Sequence, residues 1–397
     1  MTRRSPLAWR PPPHWRDARG PRPLLMLTTS YPGGPGELAG HFVQTLARQL
    51  AASGHRVQIL TPAGPGASRP PGWRRDPGPV EVLRVAYPGW RRGPFHAEGL
   101  PERLERPQGR ARALALIPGA VAALGAAAWL QARRLGPRVE LVGHWLWPGG
   151  GVAQLGARAL GRGATTICHS GGVRLVTQLP APLAAPLVRV GLGEGAFVAT
   201  CADLVHRLER AAGAPLRHRA HVAAMPVEPP RRLGAPPPAP PFRVLTLGRL
   251  TPVKGLDLLI AAAAGRSDVA LHVAGDGAER DRLAAQAEAL GVSARFHGVV
   301  TGEAKARLLS TCHGLAMPSR RLPSGRTEGV PVALLEALSY DLPVLATRVG
   351  GIPEALGLGG DAPVTGAVTC EPTEARLRAA WPAFVEAMAA RWGVAGG

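Results

Sequence analysis

Short apolar runs alternate with amphipathic stretches along most of the chain. Near its start, the apolar residues at 23–29 predict a strand, residues 37–53 have helical spacing, and residues 55–60 predict a second strand. Gly54 follows the helical stretch, as glycine often does where a helix ends. A strand, a helix and a strand joined by short connections are typical of a parallel sheet.

The same alternation continues on both sides of a break near residue 230. Before the break we predict strands at 80–86, 139–142, 164–168, 196–200 and 220–224, helices at 113–134, 149–160 and 202–212, and a loop at 62–79. After it we predict strands at 243–247, 269–274, 294–297, 314–317 and 343–347, and helices at 255–264, 278–290, 303–311 and 329–339. The predicted fold class is α/β, with two Rossmann-like domains facing each other across a cleft.

A proline-rich segment at 226–241 separates the two halves. Proline at that density excludes helices and central strands and makes a semi-rigid linker. Residues 1–22 are rich in Arg and Pro, and we expect a disordered basic tail. The predicted domains are therefore 23–225 and 242–373, followed by a C-terminal helix within 374–397.

Charge and cysteine usage narrow the classes of function. The formal charge is +20 and nearly all of the basic residues are Arg, because Lys254 and Lys305 are the only lysines. The Arg residues are scattered among acids, so we predict no nucleic-acid partner, and weak attraction to anionic lipid or a phosphorylated substrate fits better. The four cysteines show no metal-ligand spacing, so no metal site is predicted and a reducing compartment is indicated.

One stretch raises the question of a membrane. Residues 113–130 are uncharged but consist mostly of Ala and Gly and contain Pro118-Gly119, so we favour a buried or surface-packed helix over a membrane span. The first residues lack the apolar segment of a signal peptide. We therefore expect a cytoplasmic protein, with peripheral attachment to the anionic inner face of the membrane as an alternative location.

The stretch from Glu328 to Glu336 carries two acids eight positions apart. We predict a helix that starts near Gly329, with Pro331 in its first turn, where the missing N–H has no cost. The start of such a helix can hold an anion. Taken alone, a salt-bridged surface helix explains the two acids equally well.

A second stretch, Gly248 to Gly255, places two cations just after a predicted strand. Arg249 and Lys254 there suit a diphosphate, Arg as a fork of donors and Lys as a point charge. An ordinary surface pair of cations is the alternative. Gly275 and Gly277 follow the next strand, where glycine lets a ligand approach the backbone.

Taken together, these segments resemble family 4 glycosyltransferases, enzymes of the GT-B architecture. The matching segments are Gly248-Arg-Leu-x-x-x-Lys-Gly255, Gly275-Asp-Gly277, Phe296-x-Gly298, Pro318-Ser319, Glu328-Gly-x-Pro-x-x-x-x-Glu336, Leu342-Pro-Val-x-Ala-Thr347 and Gly350-Gly-x-Pro-Glu354. Weaker matches in the first half are Gly40-His-Phe-Val43, Gly54-His-x-Val57, His144-Trp145-x-x-Pro148-x-Gly150 and Thr165-x-x-x-His169.

The resemblance implies roles for individual residues. Arg249 and Lys254 would hold the leaving diphosphate of a nucleotide-sugar, Glu328 would contact the donor sugar and Glu336 the nucleotide ribose. His169 would lie near the transferred sugar, while His144 and Trp145 would shape the acceptor side. The remaining predicted donor-binding positions are Gly36, Gly40, Gly248, Gly275, Gly277, His297, Gly329 and Val330.

The implied reaction is retaining and independent of metal or other cofactor, with the nucleotide-diphosphate sugar as co-substrate. The absence of a D-x-D motif agrees with this expectation. The acceptor would be a glycan, a lipid-linked acceptor or a small molecule. The alternatives are a non-catalytic nucleotide-sugar or glycan-binding protein, an epimerase or a phosphorylase.

The chain departs from the family pattern at several places, including the following two. Ser170-Gly-Gly172 stands where the family often has Gly-x-Asp, so an acid expected near the substrates is missing. After Glu354 the expected apolar strand is replaced by a weakly patterned run, and the C-terminus is atypical.

Overall fold

The computed structural model describes residues 9–32, 40–64, 71–76, 78–93, 95, 110–358 and 363–394. These residues form two compact units, the first spanning Trp9–Pro226 and the second beginning at Val227.

The first unit is built on an eight-stranded sheet flanked by helices. Its strands are β1 (Arg16–Asp17), β2 (Gly20–Pro21), β3 (Leu24–Leu27), β4 (Val57–Pro62), β5 (Gly72–Arg75), β6 (Glu81–Val85), β7 (Glu140–His144), β8 (Gly163–Cys168), β9 (Phe197–Ala199) and β10 (Ala220–Val222). Its helices are α1 (His41–Ala52), α2 (Arg110–Leu135), α3 (Gly151–Leu160), α4 (Ser170–Thr177), α5 (Ala181–Leu192) and α6 (Ala202–Ala212). The sheet order is β10-β9-β8-β7-β3-β4-β6-β5, parallel except for the β5–β6 pair, while β1 and β2 form a separate hairpin.

The second unit repeats this plan with a six-stranded parallel sheet. Its strands are β11 (Phe242–Leu247), β12 (Val269–Ala274), β13 (Ala294–Gly298), β14 (Gly314–Met317), β15 (Val344–Thr347) and β16 (Ala367–Cys370). Its helices are α7 (Leu256–Ala263), α8 (Arg280–Ala289), α9 (Gly302–Thr311), α10 (Val332–Ser339), α11 (Ile352–Ala355) and α12 (Glu374–Trp392). The order β13-β12-β11-β14-β15-β16 places β11, β14 and β15 in the interior of the sheet.

The central strands are apolar throughout because helices cover both faces of each sheet. All four residues of β3 are buried, and so are all four of β14 and of β15. The C-terminal helix α12 packs against its own unit, with Trp381 and Phe384 fully buried in the same core as Val244 and Leu271. The atypical C-terminus therefore still supplies an edge strand, β16, and a covering helix.

The prediction of a disordered tail over residues 1–22 is wrong for the described residues 9–22. Trp15 is fully buried in the core of the first unit, and its Nε1 donates a hydrogen bond to Thr165 Oγ1 at 3.0 Å. Arg22 lies 3.0 Å from the buried carboxylate of Glu140. The composition suggested disorder, but one large aromatic side chain and one buried ion pair hold the segment in place.

One other prediction needs correction, and two correctly predicted segments have features that the sequence did not show. The predicted loop at 62–79 contains β5, an exposed edge strand whose residues lack the apolar alternation that would have revealed it. Helix α2 continues through Pro118, which lies on the exposed side of the helix. There the carbonyl that loses its N–H partner can bond to water. The linker at 226–241 has no helix or strand, but it is bound to the second unit, because the Arg231 backbone exchanges hydrogen bonds with the Tyr340 hydroxyl.

Candidate functional site

The loops at the carboxyl ends of the second unit's strands carry most of the predicted donor-site residues. Since β11 to β15 are parallel, these ends share one edge of the sheet, which is where ligands bind in open α/β folds. The exposed Arg249 and the more buried Lys254 follow β11, and Gly275 and Gly277 follow β12. His297 lies at the end of β13, and Glu328 lies in the long loop after β14.

The glycines at this edge let backbone pack directly on backbone. Gly275 has a φ of +140°, and a Cβ there would lie 1.8 Å from the carbonyl oxygen of Gly248. Gly350 has a φ of +60°, and a Cβ there would lie 1.9 Å from the carbonyl oxygen of Glu328. Any side chain at either position would push the loops apart, so the glycines set the close spacing of this edge.

Lys254 and Glu328 form an ion pair across the edge. Lys254 Nζ lies 3.1 Å from Glu328 Oε1, and the two side chains are only 16% and 13% exposed. Lys254 reaches the carboxylate by crossing Gly248, where a Cβ would lie 3.3 Å from its Cε. The pair is therefore a compact, largely desolvated charge pair, in which the ammonium keeps further N–H donors for a ligand.

The second acid of the stretch is paired with the other lysine. Lys305 on α9 places Nζ 2.5 Å from Oε1 of Glu336 on α10, and both side chains are largely buried. Each of the chain's two lysines thus neutralises one of the two acids eight positions apart. The sequence reasoning missed Lys305, although the rarity of lysine in an Arg-rich chain was a signal that could have found it.

The predicted start of the helix after Glu328 is wrong by three residues. Helix α10 begins at Val332, and Pro331 precedes it with a ψ of 127°, outside the helical range. The carbonyl of Gly329 accepts a hydrogen bond from the Gly351 N–H at 3.1 Å, which keeps the preceding residues in a loop. Gly329 and Val330 therefore lie in that loop and not on a face of the helix.

Two histidines stack beside this edge. His297 Nε2 lies 3.0 Å from Nδ1 of His272 on β12, with ring planes 24° apart. Burial lowers the pKa of His272 to about 4 and also lowers the pKa of His297. Both rings are therefore neutral near pH 7 and can donate and accept hydrogen bonds. His272 was not predicted, since it falls in the middle of an ordinary strand pattern.

Two hydroxyl groups in the loop that carries Glu328 have no partner within the described residues. Ser319 Oγ and Thr327 Oγ1 are both buried and make no hydrogen bond there. Buried polar groups normally have a partner, so unpaired hydroxyls at a strand-end loop fit a site that a polar ligand completes.

The first unit has its own cluster at the carboxyl ends of β7 and β8. His144 Nδ1 lies 3.2 Å from His169 Nε2, and the rings stack with planes 10° apart. Phe42 and Trp145 contact the His169 ring, with centroids 5.0 and 5.2 Å away. Burial is the main cause that lowers the pKa of both histidines, that of His169 to about 3.

The two histidines of the cluster differ in exposure. His144 is fully buried at the end of β7, and within this cluster its Nδ1 contacts His169. His169 retains 9% exposure. Nε2 of His144 has no partner among the described residues.

The departure at Ser170-Gly-Gly172 has a steric basis. Trp145 adopts a left-handed backbone conformation with a φ of 63°. A Cβ on Gly172 would lie 3.0 Å from Trp145 Cβ. An acid at position 172 would press on this tryptophan, so the missing side chain is matched to the unusual position of Trp145.

Of the remaining predicted residues, Gly40 caps the start of α1 with a φ of 81°. A Cβ there would lie 2.3 Å from the Ser30 carbonyl oxygen, so glycine is required. Gly36 lies outside the described residues. Within the described part of the chain, no group of three His, Cys, Asp or Glu side chains could hold a metal ion.

Residues 235–380 match the family model described as Glycosyl transferases group 1. A GDP-mannose-dependent alpha-(1-6)-phosphatidylinositol monomannoside mannosyltransferase of Mycolicibacterium smegmatis is 37% identical over 122 residues, which are 28% of this chain and 31% of that protein. The amylovoran biosynthesis glycosyltransferase AmsK of Erwinia amylovora is 31% identical over 29% of this chain and 30% of its own. The matched stretches span about a third of these two relatives.

A longer match extends into the first unit. A D-inositol 3-phosphate glycosyltransferase of Segniliparus rotundus is 26% identical over 362 residues, which cover 81% of this chain and 72% of that protein. The second unit is therefore similar in sequence to a group 1 glycosyltransferase domain, and the similarity continues more weakly through the rest of the chain.

Solved structures show the same fold over nearly the whole chain. Sucrose-phosphate synthase from Thermosynechococcus elongatus has a TM-score of 0.67 at 18% identity. The match covers 93% of this chain and 90% of that chain. The catalytic domain of starch synthase IV of Arabidopsis thaliana, bound to ADP and acarbose, has a TM-score of 0.63 at 13% identity, and the match covers 92% of both chains. Anabaena HepE with UDP-glucose has a TM-score of 0.56 at 18% identity and covers 92% and 94%. The predicted α/β class with two Rossmann-like domains of the GT-B type is confirmed.

Proposed function

We propose that this protein is a glycosyltransferase of family 4 that moves a sugar from a nucleotide-diphosphate sugar to an acceptor. The observation that carries the proposal is the arrangement at one sheet edge, where Lys254 pairs with Glu328 and Lys305 with Glu336. A largely desolvated cation beside an acid suits a ligand that has a diphosphate next to a sugar with many hydroxyl groups. The match of residues 235–380 to group 1 glycosyltransferases supports the same conclusion.

In this proposal Lys254 and Arg249 bind the diphosphate. Negative charge grows on the departing nucleoside diphosphate in the transition state, and fixed cations stabilise it there more than in the ground state. Glu328 offsets the Lys254 charge in the empty site and accepts hydrogen bonds from sugar hydroxyls in the filled one. Glu336, held by Lys305, accepts hydrogen bonds from the ribose.

His169 would serve the sugar as a neutral hydrogen-bonding group. Its pKa is lowered to about 3 by burial, so it carries no charge near pH 7. His144 behind it fixes the ring through the contact at 3.2 Å. Phe42 and Trp145 enclose the ring with apolar surface, which excludes water from the reacting groups.

We propose retention of anomeric configuration without a metal ion. A front-face reaction, in which the leaving phosphate accepts the proton of the acceptor hydroxyl, needs only the cations described above. A double displacement needs a free carboxylate as nucleophile, and Glu328 is paired with Lys254. NMR of the product anomer tests retention, and a covalent sugar trapped on Glu328 would contradict the front-face reaction.

The acceptor is proposed as a glycan, a lipid-linked acceptor or a small molecule in the cytoplasm. The names of the relatives include phosphatidylinositol monomannoside, amylovoran biosynthesis and D-inositol 3-phosphate. These share a polyol hydroxyl as the nucleophile and differ in size and lipid content. A nucleic-acid partner is not part of the proposal.

The deciding experiment is a thermal-shift panel of UDP-, GDP- and ADP-sugars on the full chain. We expect one nucleotide class to raise the Tm of the wild type and of Arg307→Ala, an exposed cation on α9, but not that of Lys254→Ala. If no nucleotide-sugar stabilises the wild type, or if Lys254→Ala responds equally, the donor site is wrongly assigned.

A further inference from the structure

Three helices of the first unit lie side by side and form one continuous outer surface. Helix α3 packs against α2 on one side and α5 on the other. We refer to the outward side of these helices, with Leu179 just before α5, as the α2–α3–α5 face.

This face carries most of the large apolar side chains that the described residues expose. Ten such side chains are exposed among them, and seven lie on this face. The seven are Leu114, Trp129, Leu130, Leu155, Leu179, Leu183 and Val190, between 38% and 57% exposed. Scattered apolar residues are normal on a protein surface, but a concentration of this kind marks a contact with another apolar body.

Helix α2 shows the exposed apolar surface most clearly. Its inner side, with Leu124 and Ala128 fully buried, faces the sheet. Its outer positions are apolar as well, because residues 113–130 contain no charged side chain. A helix that is apolar on all sides is normally buried, yet only 22% of the most apolar window of α2 is buried. Since its inner side is packed on the sheet, the helix lies along the unit, and the described residues leave its apolar outer side uncovered.

The charged side chains on these three helices have one sign. The sequences of α2, α3 and α5 contain neither Asp nor Glu. Their charged residues are Arg110, Arg112, Arg133, Arg134, Arg158 and Arg189. The four on α2 lie at the two ends of its apolar stretch, and the Arg133 guanidinium lies 4.6 Å above the Trp129 ring. In a lipid leaflet, apolar side chains contact the acyl chains, tryptophan lies at the interface and arginine binds the anionic headgroups. The apolar centre of this face, with a tryptophan and arginines at its margin, has the same order.

We propose that the α2–α3–α5 face docks this protein onto an anionic lipid bilayer. The occupant is a membrane surface because the three helices contain no acid, and the arginines at both ends of the apolar stretch of α2 complement a negative headgroup layer. The apolar side chains enter the boundary between headgroups and acyl chains, and the arginines stay at the phosphates with their aliphatic stems on the apolar surface. This attachment goes beyond the proposed transferase activity and does not depend on it.

The test is flotation of the full chain, without donor or acceptor, with vesicles of phosphatidylcholine alone or mixed with phosphatidylglycerol. We expect the protein to float with the mixed vesicles and to bind neutral vesicles at least roughly tenfold more weakly. Raised salt should release much of the bound protein, because screening weakens the attraction of the arginines to the headgroups.

Two matched double variants separate this face from apolar exposure in general. Trp129→Gln with Leu183→Gln should lower the vesicle partition coefficient roughly tenfold, because two anchors are lost. Trp73→Gln with Leu290→Gln removes a tryptophan and a leucine that are 37% and 41% exposed outside this face, and it should bind like the wild type. Arg133→Gln with Arg134→Gln should lower binding to the mixed vesicles only. An unchanged thermal unfolding curve shows that each variant is folded.

Three results would overturn the proposal. One is failure of the wild type to float with the mixed vesicles, and a second is equal binding to neutral vesicles. The third is a wild type that self-associates and binds no vesicle, together with a monomeric variant Trp129→Gln with Leu183→Gln. This result assigns the face to a second copy of the chain. Nucleotide-sugar stabilisation is measured separately, so failure of the donor proposal leaves these results readable.

Discussion

Lys305 on α9 holds Glu336 on α10 through a contact of 2.5 Å between Nζ and Oε1. The side chains are 29% and 15% exposed, so the carboxylate has little access to water and depends on this ammonium for its position. If Glu336 binds the ribose of the donor, Lys305 is a positioning residue for that contact.

The first prediction follows from this pair. Lys305→Met should lower the affinity for the nucleotide by roughly five- to tenfold. The reason is that a mispositioned carboxylate loses a charge-assisted hydrogen bond worth about 1 to 1.5 kcal/mol. Calorimetric titration of the nucleoside diphosphate and its 2′,3′-dideoxy form measures the effect. The dideoxy form should bind the wild type and Lys305→Met equally.

Arg307→Ala on the same helix is the control and should leave both affinities unchanged. Lys305→Met could instead lose the same affinity for the nucleoside diphosphate and for its dideoxy form. That result would show that Lys305 supports the fold and does not position Glu336 for the ribose.

The second prediction concerns the charge pair of Lys254 and Glu328. Lys254→Met should lower stability by about 1 to 3 kcal/mol, because it leaves a carboxylate that is 13% exposed without its partner. Adding Glu328→Gln should restore most of this stability, since no charge is then left unpaired. Donor binding should be lost in both variants because the diphosphate has lost its ammonium.

Urea unfolding and donor titration of the wild type, both single variants and the double variant measure this cycle. Donor binding that recovers together with stability in the double variant would contradict the role of Lys254 at the diphosphate.

The third prediction is a loss of stability in acid that depends on buried histidines. The pKa of His169 is lowered to about 3 and that of His272 to about 4, both mainly by burial. Each is therefore neutral in the folded protein at a pH where the unfolded chain binds a proton. Stability is then complete above about pH 6.5 and falls as the pH drops toward these folded values, by at most about 1.4 kcal/mol per pH unit for each group.

Thermal unfolding between pH 7 and pH 5 checks this prediction. His169→Asn should show a smaller fall in Tm over this range than the wild type, because one titrating group is gone. His218→Asn replaces an exposed histidine and should follow the wild type. Identical curves for all three proteins would mean that His169 does not resist protonation.

The fourth prediction tests the steric match of Gly172 and Trp145. Gly172→Ala should destabilise the protein by about 1 to 3 kcal/mol, because the new Cβ would lie 3.0 Å from Trp145 Cβ. Gly172→Asp should cost more, since the carboxylate also needs a partner. The control is Gly156→Ala in α3, where the Cβ meets Leu141 Cδ2 at an ordinary 3.6 Å and better helix propensity should give a small gain. Two glycine variants of equal stability would contradict this match.

The sequence by itself determined the fold class and the order of the strands along the chain. Strands Val269–Ala274 and Gly314–Met317 and helix Ala202–Ala212 have the predicted bounds, because their apolar spacing and flanking residues agree. The clustering of Arg249, Lys254 and Glu328 at one edge also follows from sequence, since parallel strands bring their carboxyl ends together. Their roles toward a donor stay predictions.

The tertiary structure decided what depends on partners far apart in the chain. Trp15 is held by the core around it and by Thr165, and Lys305 meets Glu336 because α9 lies beside α10. The apolar character of α2 was visible in the sequence, but whether its outer side is covered depends on how many neighbouring elements pack on it. Local spacing determines helices and strands, whereas burial and pairing are properties of the assembled layers, and no stretch of sequence contains them alone.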